Sequence, residues 1–452
     1  MPLTSTWPAA VDVFPRPTSG VSLQSNPNEA DLVNVHSDAI QNLQGVVGAT
    51  GVLGTHAARI SSLEAGGTQV IDVRDMNLTE GAGADAATNT FNFVFYGTAA
   101  PAIFYFGPGQ WNNISLTITH SDQHIIGHST GSTTLYYKGS AAAPNNACVV
   151  FVGPADDTQA GRIYHNGVRD VTIANHGSQS NNNAIGLKLR NVTHLRVDRV
   201  AFGTWRGSAI EASNFADSSF TWCEFDYCGS GNDADLAVVT FNGTQTSWAV
   251  DQVKFAFCRW ENCGDRIFDF RQGNGHLVNK IQCIQCKFEN SVNTGNGIGG
   301  SAGNGAQFYF DTCHWVTFVQ CEFTLQQFRD GSHTIIPTCF RMVGETFLSL
   351  TDCWFNFGSG DRPKIFTNFF LLGSSTTAVL TLHNVWLNNS ASNGTPYPTD
   401  VINTVAAGSP FPVVVSTGCG YTPLRGSALE LGDWINGSYR GPEIQFKNGV
   451  TA

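Results

Sequence analysis

The sequence predicts an all-β solenoid of stacked three-stranded coils with a short helical stalk in front of it. Three observations carry this. The 452 residues include 48 Gly and 31 Phe, with 11% aromatic and only 13% charged residues, a balance that favours turn-rich β-structure over long helices. The hydrophobic period changes from helical before residue 67 to strand-like after it. Nearly the same eight letters also occur twice, as WCEFDYCG from Trp222 and as FCRWENCG from Phe257, which is the mark of a repeated unit.

In chain order, the first element is the stalk. Asn26, Pro27 and Glu29 form a helix start, with Asn26 as N-cap, Pro27 at the first helical position and Glu29 closing a capping box. Val33, His36, Ile40, Leu43 and Val47 then follow at alternating steps of three and four, and Leu53, His56, Ile60 and Leu63 repeat the pattern after VGATG. So narrow a seam is expected to pair with copies of itself. Residues 1–66 are taken as this segment.

From residue 67 to 390 the chain is expected to be one solenoid. Aligned on their apolar cores, LRVDRVAF, SFTWCEF, KFAFCRW, CIQCKF, TFVQCEF, SLTDCWF and LTLHNVWL share a position at Val200, Cys223, Cys258, Cys286, Cys321, Cys353 and Val385. Steps of 23 to 35 residues separate these positions, enough for three short strands and loops of varying length. An earlier copy, VRDVTIANHG, sets His176 at the shared point. Alternation along a strand turns the shared residue and the one two later inward, so thiols stack on thiols and rings on rings. Residues 391–452, richer in Pro and Gly and without the core repeat, are expected to form a C-terminal trimerisation or tip segment.

Several functions are set aside. A net charge of -11 without a basic cluster argues against a nucleic-acid partner. No apolar run reaches the length of a membrane span, and no secretory signal opens the chain; folding in a reducing compartment is expected. Twelve cysteines fall below the density of a disulfide scaffold and read as small buried apolar side chains. His120, His124 and His128 step by four along turn and strand, too spread to converge on an ion. No metal and no cofactor is expected.

If Cys223 and Phe225 point inward, Glu224 and Asp226 point outward. Extending this gives one column of Glu224, Arg259, Lys287, Glu322 and Trp354, and beside it Asp226, Glu261, Glu289, Thr324 and Asn356. Adjacent coils lie ~4.8 Å apart, so Asp226, Glu261 and Glu289 offer carboxylate pairs at roughly the spacings of retaining and inverting glycosidases. They are the candidate catalytic residues. Glu224, Arg259, Glu322 and Trp354 are the candidate ligand-binding residues, although a salt-laced solvated face would show the same alternation of charge.

The stretch QVIDVRDMNLTEGAGADAATNTFNFVFYGTAAPAIFYFGPGQW, from Gln69, resembles the opening of pectate-lyase-like right-handed parallel β-helices: a strand at Val70 to Asp75, a Gly- and Asp-containing turn, and the FYFGPG turn. Its acidic turn is thinned and an aromatic pattern replaces the usual capping helix. A stalk before such an opening resembles bacteriophage tailspikes and tail fibres. The resemblance implies a right-handed parallel β-helix in a homotrimer, assembled in the bacterial host cytoplasm and mounted at the virion tail tip or baseplate. Residues 1–66 would contact phage tail or baseplate proteins, and the β-helix would meet a bacterial surface glycan. Two functions follow from it: a non-catalytic adhesin for adsorption, or a glycan depolymerase, either glycoside hydrolase or polysaccharide lyase.

Overall fold

The computed structural model describes residues 69–76, 91–94, 101–112, 114–137, 147–154, 161–175, 184–205, 207–229, 237–242, 250–263, 266–272, 276–291, 306–326, 338–356, 368–372, 378–388, 400–403, 413–417, 419–422 and 435–436. The expected stalk and attachment segment at residues 1–66 lies outside them. Among the described residues there are 34 strands, all joined in one parallel network, and no helix long and apolar enough to cross a membrane.

Each strand pairs with its counterpart one coil earlier and one coil later, which is the topology of a β-solenoid. One coil shows the plan. Ile210–Thr221 runs along the third face and, through its C-terminal part, the first; Glu224–Asp226 forms the second face, and Val239–Asn242 returns to the third. In the next coil Val250–Ala256, Arg259–Glu261 and Phe268–Arg271 stack on these in register, with Phe220 on Phe255, Phe225 on Trp260 and Phe241 on Phe270. Parallel crossovers of this kind are right-handed in the great majority of proteins.

Three ring columns fill the interior. On the second face Phe202, Phe225, Trp260, Phe288, Phe323 and Phe355 stack with centroids 4.3 to 5.0 Å apart. That distance repeats the strand spacing, because identical positions on successive coils must sit one rung apart. Rings of different faces meet edge-on, as Trp260 does with Phe268 at 84°, the geometry that aromatic quadrupoles favour. All twelve cysteines are buried, and none is joined in a disulfide among the described residues.

The corners are made by single residues in the left-handed region. Between the first and second faces stand Arg199, Trp222, Phe257, Gln285, Gln320, Asp352 and Asn384, all at φ of 49 to 57°. One such residue turns the chain while leaving both flanking strands extended. The next residue is inside: Val200, Cys223, Cys258, Cys286, Cys321, Cys353 and Val385.

Two expectations shift. The early copy pairs Val171, not His176, with Val200. The strand Gly167–Asn175 runs through the first corner into the second face without a break, so the apolar residue after Asp170 takes the shared position; His176 lies outside the described residues. The stack also continues past residue 390. Asp400–Asn403, Val413–Thr417, Gly420–Thr422 and Ile435–Asn436 pair with the strands before them on all three faces. The shared position recurs there as Cys419, buried just before Gly420–Thr422 with its sulfur 3.7 Å from Thr417 O, on the rung that Val385 holds one coil earlier.

Candidate functional site

The second face carries the columns expected from the repeat. Glu224, Arg259, Lys287, Glu322, Trp354 and Trp386 are register partners on six successive coils, and beside them Asp226, Glu261, Glu289, Thr324, Asn356 and Asn388 form the second column. Between the two columns run the buried rings, from Phe225 to Phe355. The strands are only three to five residues long, so the face is a narrow strip, two side chains wide.

Electrostatics divide the strip. At its centre Arg259 donates through Nε and Nη2 to one Glu289 oxygen at 3.0 and 2.6 Å and lies 2.9 Å from Glu261. Lys287 approaches the other Glu289 oxygen at 2.9 Å and Glu322 at 3.9 Å. Burial pushes the Glu289 carboxyl up, but hydrogen bonds and charge from Lys287 and Arg259 together outweigh it and hold the group below the ordinary glutamate value. Glu289 is therefore a fixed anion. Asp226 accepts a 3.2 Å hydrogen bond from Asn262 Nδ2, and Glu322 accepts one of 2.9 Å from Thr324. The candidate acids Asp226, Glu261 and Glu289 thus stand on three consecutive strands, with the cations interleaved from the neighbouring column.

The far end of the strip is different. Trp354 and Trp386 are register partners and remain 44% and 38% exposed, whereas a Trp with no outside role is normally covered. Further aromatics were not singled out in the sequence. Trp222 and Phe257, in the left-handed corner beside Glu224 and Arg259, stack at 4.6 Å and 13° while 58% and 41% exposed. Their signal was present, since each stands just before the shared cysteine, but only the corner geometry shows that this position points to solvent. Asp269 is buried on the third face between Arg266 and Arg271 at 2.6 to 2.7 Å. No group of three or more His, Cys, Asp or Glu among the described residues converges as a metal site.

No family model matches the sequence, and no curated protein does. Among solved structures, Geobacillus virus E2 ORF18 superposes with a TM-score of 0.51 at 16% identity, over 81% of this chain and 64% of that one. The shared feature is the fold. This chain is a β-helix like that of a viral protein. It spans less than two thirds of the viral chain's length. Weaker matches include tailspike protein 3 of bacteriophage CBA120, with a TM-score of 0.41 at 12% identity over 80% of this chain and 60% of that one. A Family 28 exopolygalacturonase of Yersinia enterocolitica gives 0.39 at 10% identity over 82% and 77%.

Proposed function

We propose that the protein is a phage tailspike or tail fibre whose β-helix binds a host-surface polysaccharide along its second face. The observation that carries the reading is the strip itself: polar and charged side chains repeated on successive coils, ending in the exposed pair Trp354 and Trp386. A row with a ~4.8 Å repeat suits an extended polymer, and indole faces stack on the C–H surfaces of sugars while the charged columns hydrogen-bond to hydroxyls. The sequence resemblance to tailspikes and the viral β-helix of like fold support the same reading. It includes a homotrimer, attachment to phage tail or baseplate proteins through residues 1–66, and a place in the virion. For the contact between copies we favour the first face from Gln282 onward. Its outward residues Gln282, Ile284, Thr317, Val319, Ser349, Thr351, Thr381 and His383 include no Asp, Glu, Lys or Arg.

Adsorption is favoured over cleavage because Glu289 is held ionised by two cations, whereas hydrolysis needs one carboxyl able to give a proton. The depolymerase reading draws on the adjacency of Asp226 and Glu261 on neighbouring strands. Incubation of the purified protein with host-envelope polysaccharide separates the two. Saturable binding with constant glycan length supports the adhesin, while new reducing ends or unsaturated products, abolished by Glu261→Gln, support the depolymerase. Absence of both binding and cleavage across envelope polysaccharides would sink the proposal.

A further inference from the structure

A second depression lies away from the strip, at the corner between the third and first faces. It encloses about 550 Å³ and is lined by Asp122, His124, His165, Asn166, His194, Leu195, Arg196, Asp217 and Ser219. Its construction follows from two stacked columns. The corner column holds Asp122, His165, His194 and Asp217 on four successive coils, each at positive φ of 49 to 59°. Two residues further along each coil, the outward column of the first face reads His124, Gly167, Arg196 and Ser219. Gly167 and Ser219 flank Arg196 with almost no side chain, which opens the hollow.

The polar groups around it are incompletely used. Among the described residues the guanidinium of Arg196 has neither an ion-pair nor a hydrogen-bond partner, and it is exposed. Asn166 is 1% exposed; its Nδ2 donates to His120 O at 2.7 Å and Gln123 O at 3.2 Å, which fixes the amide's orientation, yet its Oδ1 has no partner. A buried acceptor left unpaired is costly, so a donor brought in by a ligand would be favoured. The rings of His165 and His194 stack at 5.2 Å and 20° and give the wall a flat π-face. Asp122, 3.4 Å from His165, and Asp217 supply acceptors at the two ends. Burial lowers the pKa of His124, with Arg169, Arg196 and His165 acting in the same sense against Asp122, so its imidazole is neutral at pH 7.

We propose that this cleft is a second saccharide site, separate from the second face and selective for a sugar that carries an oxyanion beside its hydroxyls. Arg196 takes the anion, and Asp122, Asp217 and Asn166 accept from hydroxyls. The cleft volume falls in the range of small-ligand sites, and an unpaired guanidinium is matched to a carboxylate by its fork of donors.

The test is isothermal titration of the full chain with three probes: a glucuronate-containing oligosaccharide, the same oligosaccharide with its carboxylates reduced to alcohols, and inorganic phosphate. The uronate form should bind more tightly than its reduced counterpart, and Arg196→Ala should weaken it by about tenfold or more, the worth of one charge-assisted hydrogen bond. Gly167→Ala should weaken it too, because a Cβ there would lie 2.7 Å from His124 Nδ1 and push the ring into the hollow. Binding that is lost in Trp354→Ala but kept in Arg196→Ala belongs to the second face, which keeps failure of that reading distinct from failure here. Equal binding of the two oligosaccharides, no loss in Arg196→Ala, loss in Trp354→Ala instead, or phosphate binding as tightly as the uronate would each overturn the assignment.

Discussion

At each corner of the coil one residue in the left-handed region is followed by one that faces inward, and cysteine suits that second place. The Cys258 sulfur lies 3.4 Å from the carbonyl oxygens of Ala256 in its own coil and Phe220 in the coil before. Cys263 makes the same two approaches at the next corner, to Glu261 and Phe225, and Cys313 at the third, to Asp311 and Phe270. A thiol is small enough for the bend and can donate weakly to either carbonyl. Burial pushes the Cys263 thiol up to about 12 and raises Cys228 and Cys313 as well. Thiolate is the reactive form, so Cys228, Cys263 and Cys313 should resist a thiol reagent at pH 8 in the native protein and react with it in denaturant. The exposed corner residues obey a different balance. Trp222 and Phe257 gain about 0.5–1.5 kcal/mol from stacking but hold a backbone conformation that costs a bulky residue about 1–3 kcal/mol. Trp222→Asn, whose side chain tolerates that conformation, should therefore leave the unfolding midpoint unchanged or raise it, and a loss of glycan binding in the same variant would give Trp222 a role in recognition.

The coil is the element that repeats, and its stability rests on contact between like positions. Trp260 is fully buried between Phe225 and Phe288, and its indole Nε1 has no hydrogen-bond partner among the described residues. Trp260→Ala should cost about 3–5 kcal/mol in chemical denaturation. Trp260→Phe should cost far less, since it keeps the stack and removes an unsatisfied buried donor. The ring ladder was legible in the sequence because strand alternation makes every second residue of the motif apolar. The register of the earliest copy was not. VRDVTIANHG contains two apolar pairs at the same spacing, and only the continuous strand Gly167–Asn175 decides that Val171 meets Val200. The C-terminal coils were hidden for a related reason: Cys419 keeps the shared position, but with Pro and Gly between short strands, Asp400–Asn403 to Ile435–Asn436 have too few core residues to show a period.

For the whole molecule the three faces divide the work. The second face is a lattice of ion pairs, the described outward residues of the first from Gln282 onward include no Asp, Glu, Lys or Arg, and the third buries Asp269 between arginines. Glu289 is depressed in the folded state, so its stabilising contribution is complete above the ordinary glutamate pKa and is lost as pH falls through the lower folded value. Glu289→Gln should accordingly narrow the difference in unfolding midpoint between pH 7 and pH 3. Light scattering on the full chain should give three times the monomer mass if copies associate as proposed, and an Arg introduced at Thr317, in the middle of the uncharged face, should lower that mass; a monomeric wild type would remove this part of the reading.

The sequence by itself determined the coil. A repeat of 23 to 35 residues with alternating apolar positions leaves the chain one economical way to bury its aromatic rings, and that same alternation turned Glu224, Asp226, Arg259 and Glu261 outward. Only the tertiary structure decided what those outward residues meet. Arg259 and Glu289 are 30 residues apart in the chain and 2.6 Å apart in space, and His124, His165, His194 and Arg196 come from coils whose loops differ in length. Neighbours across coils are set by loop length and register, and no local pattern in the sequence encodes them.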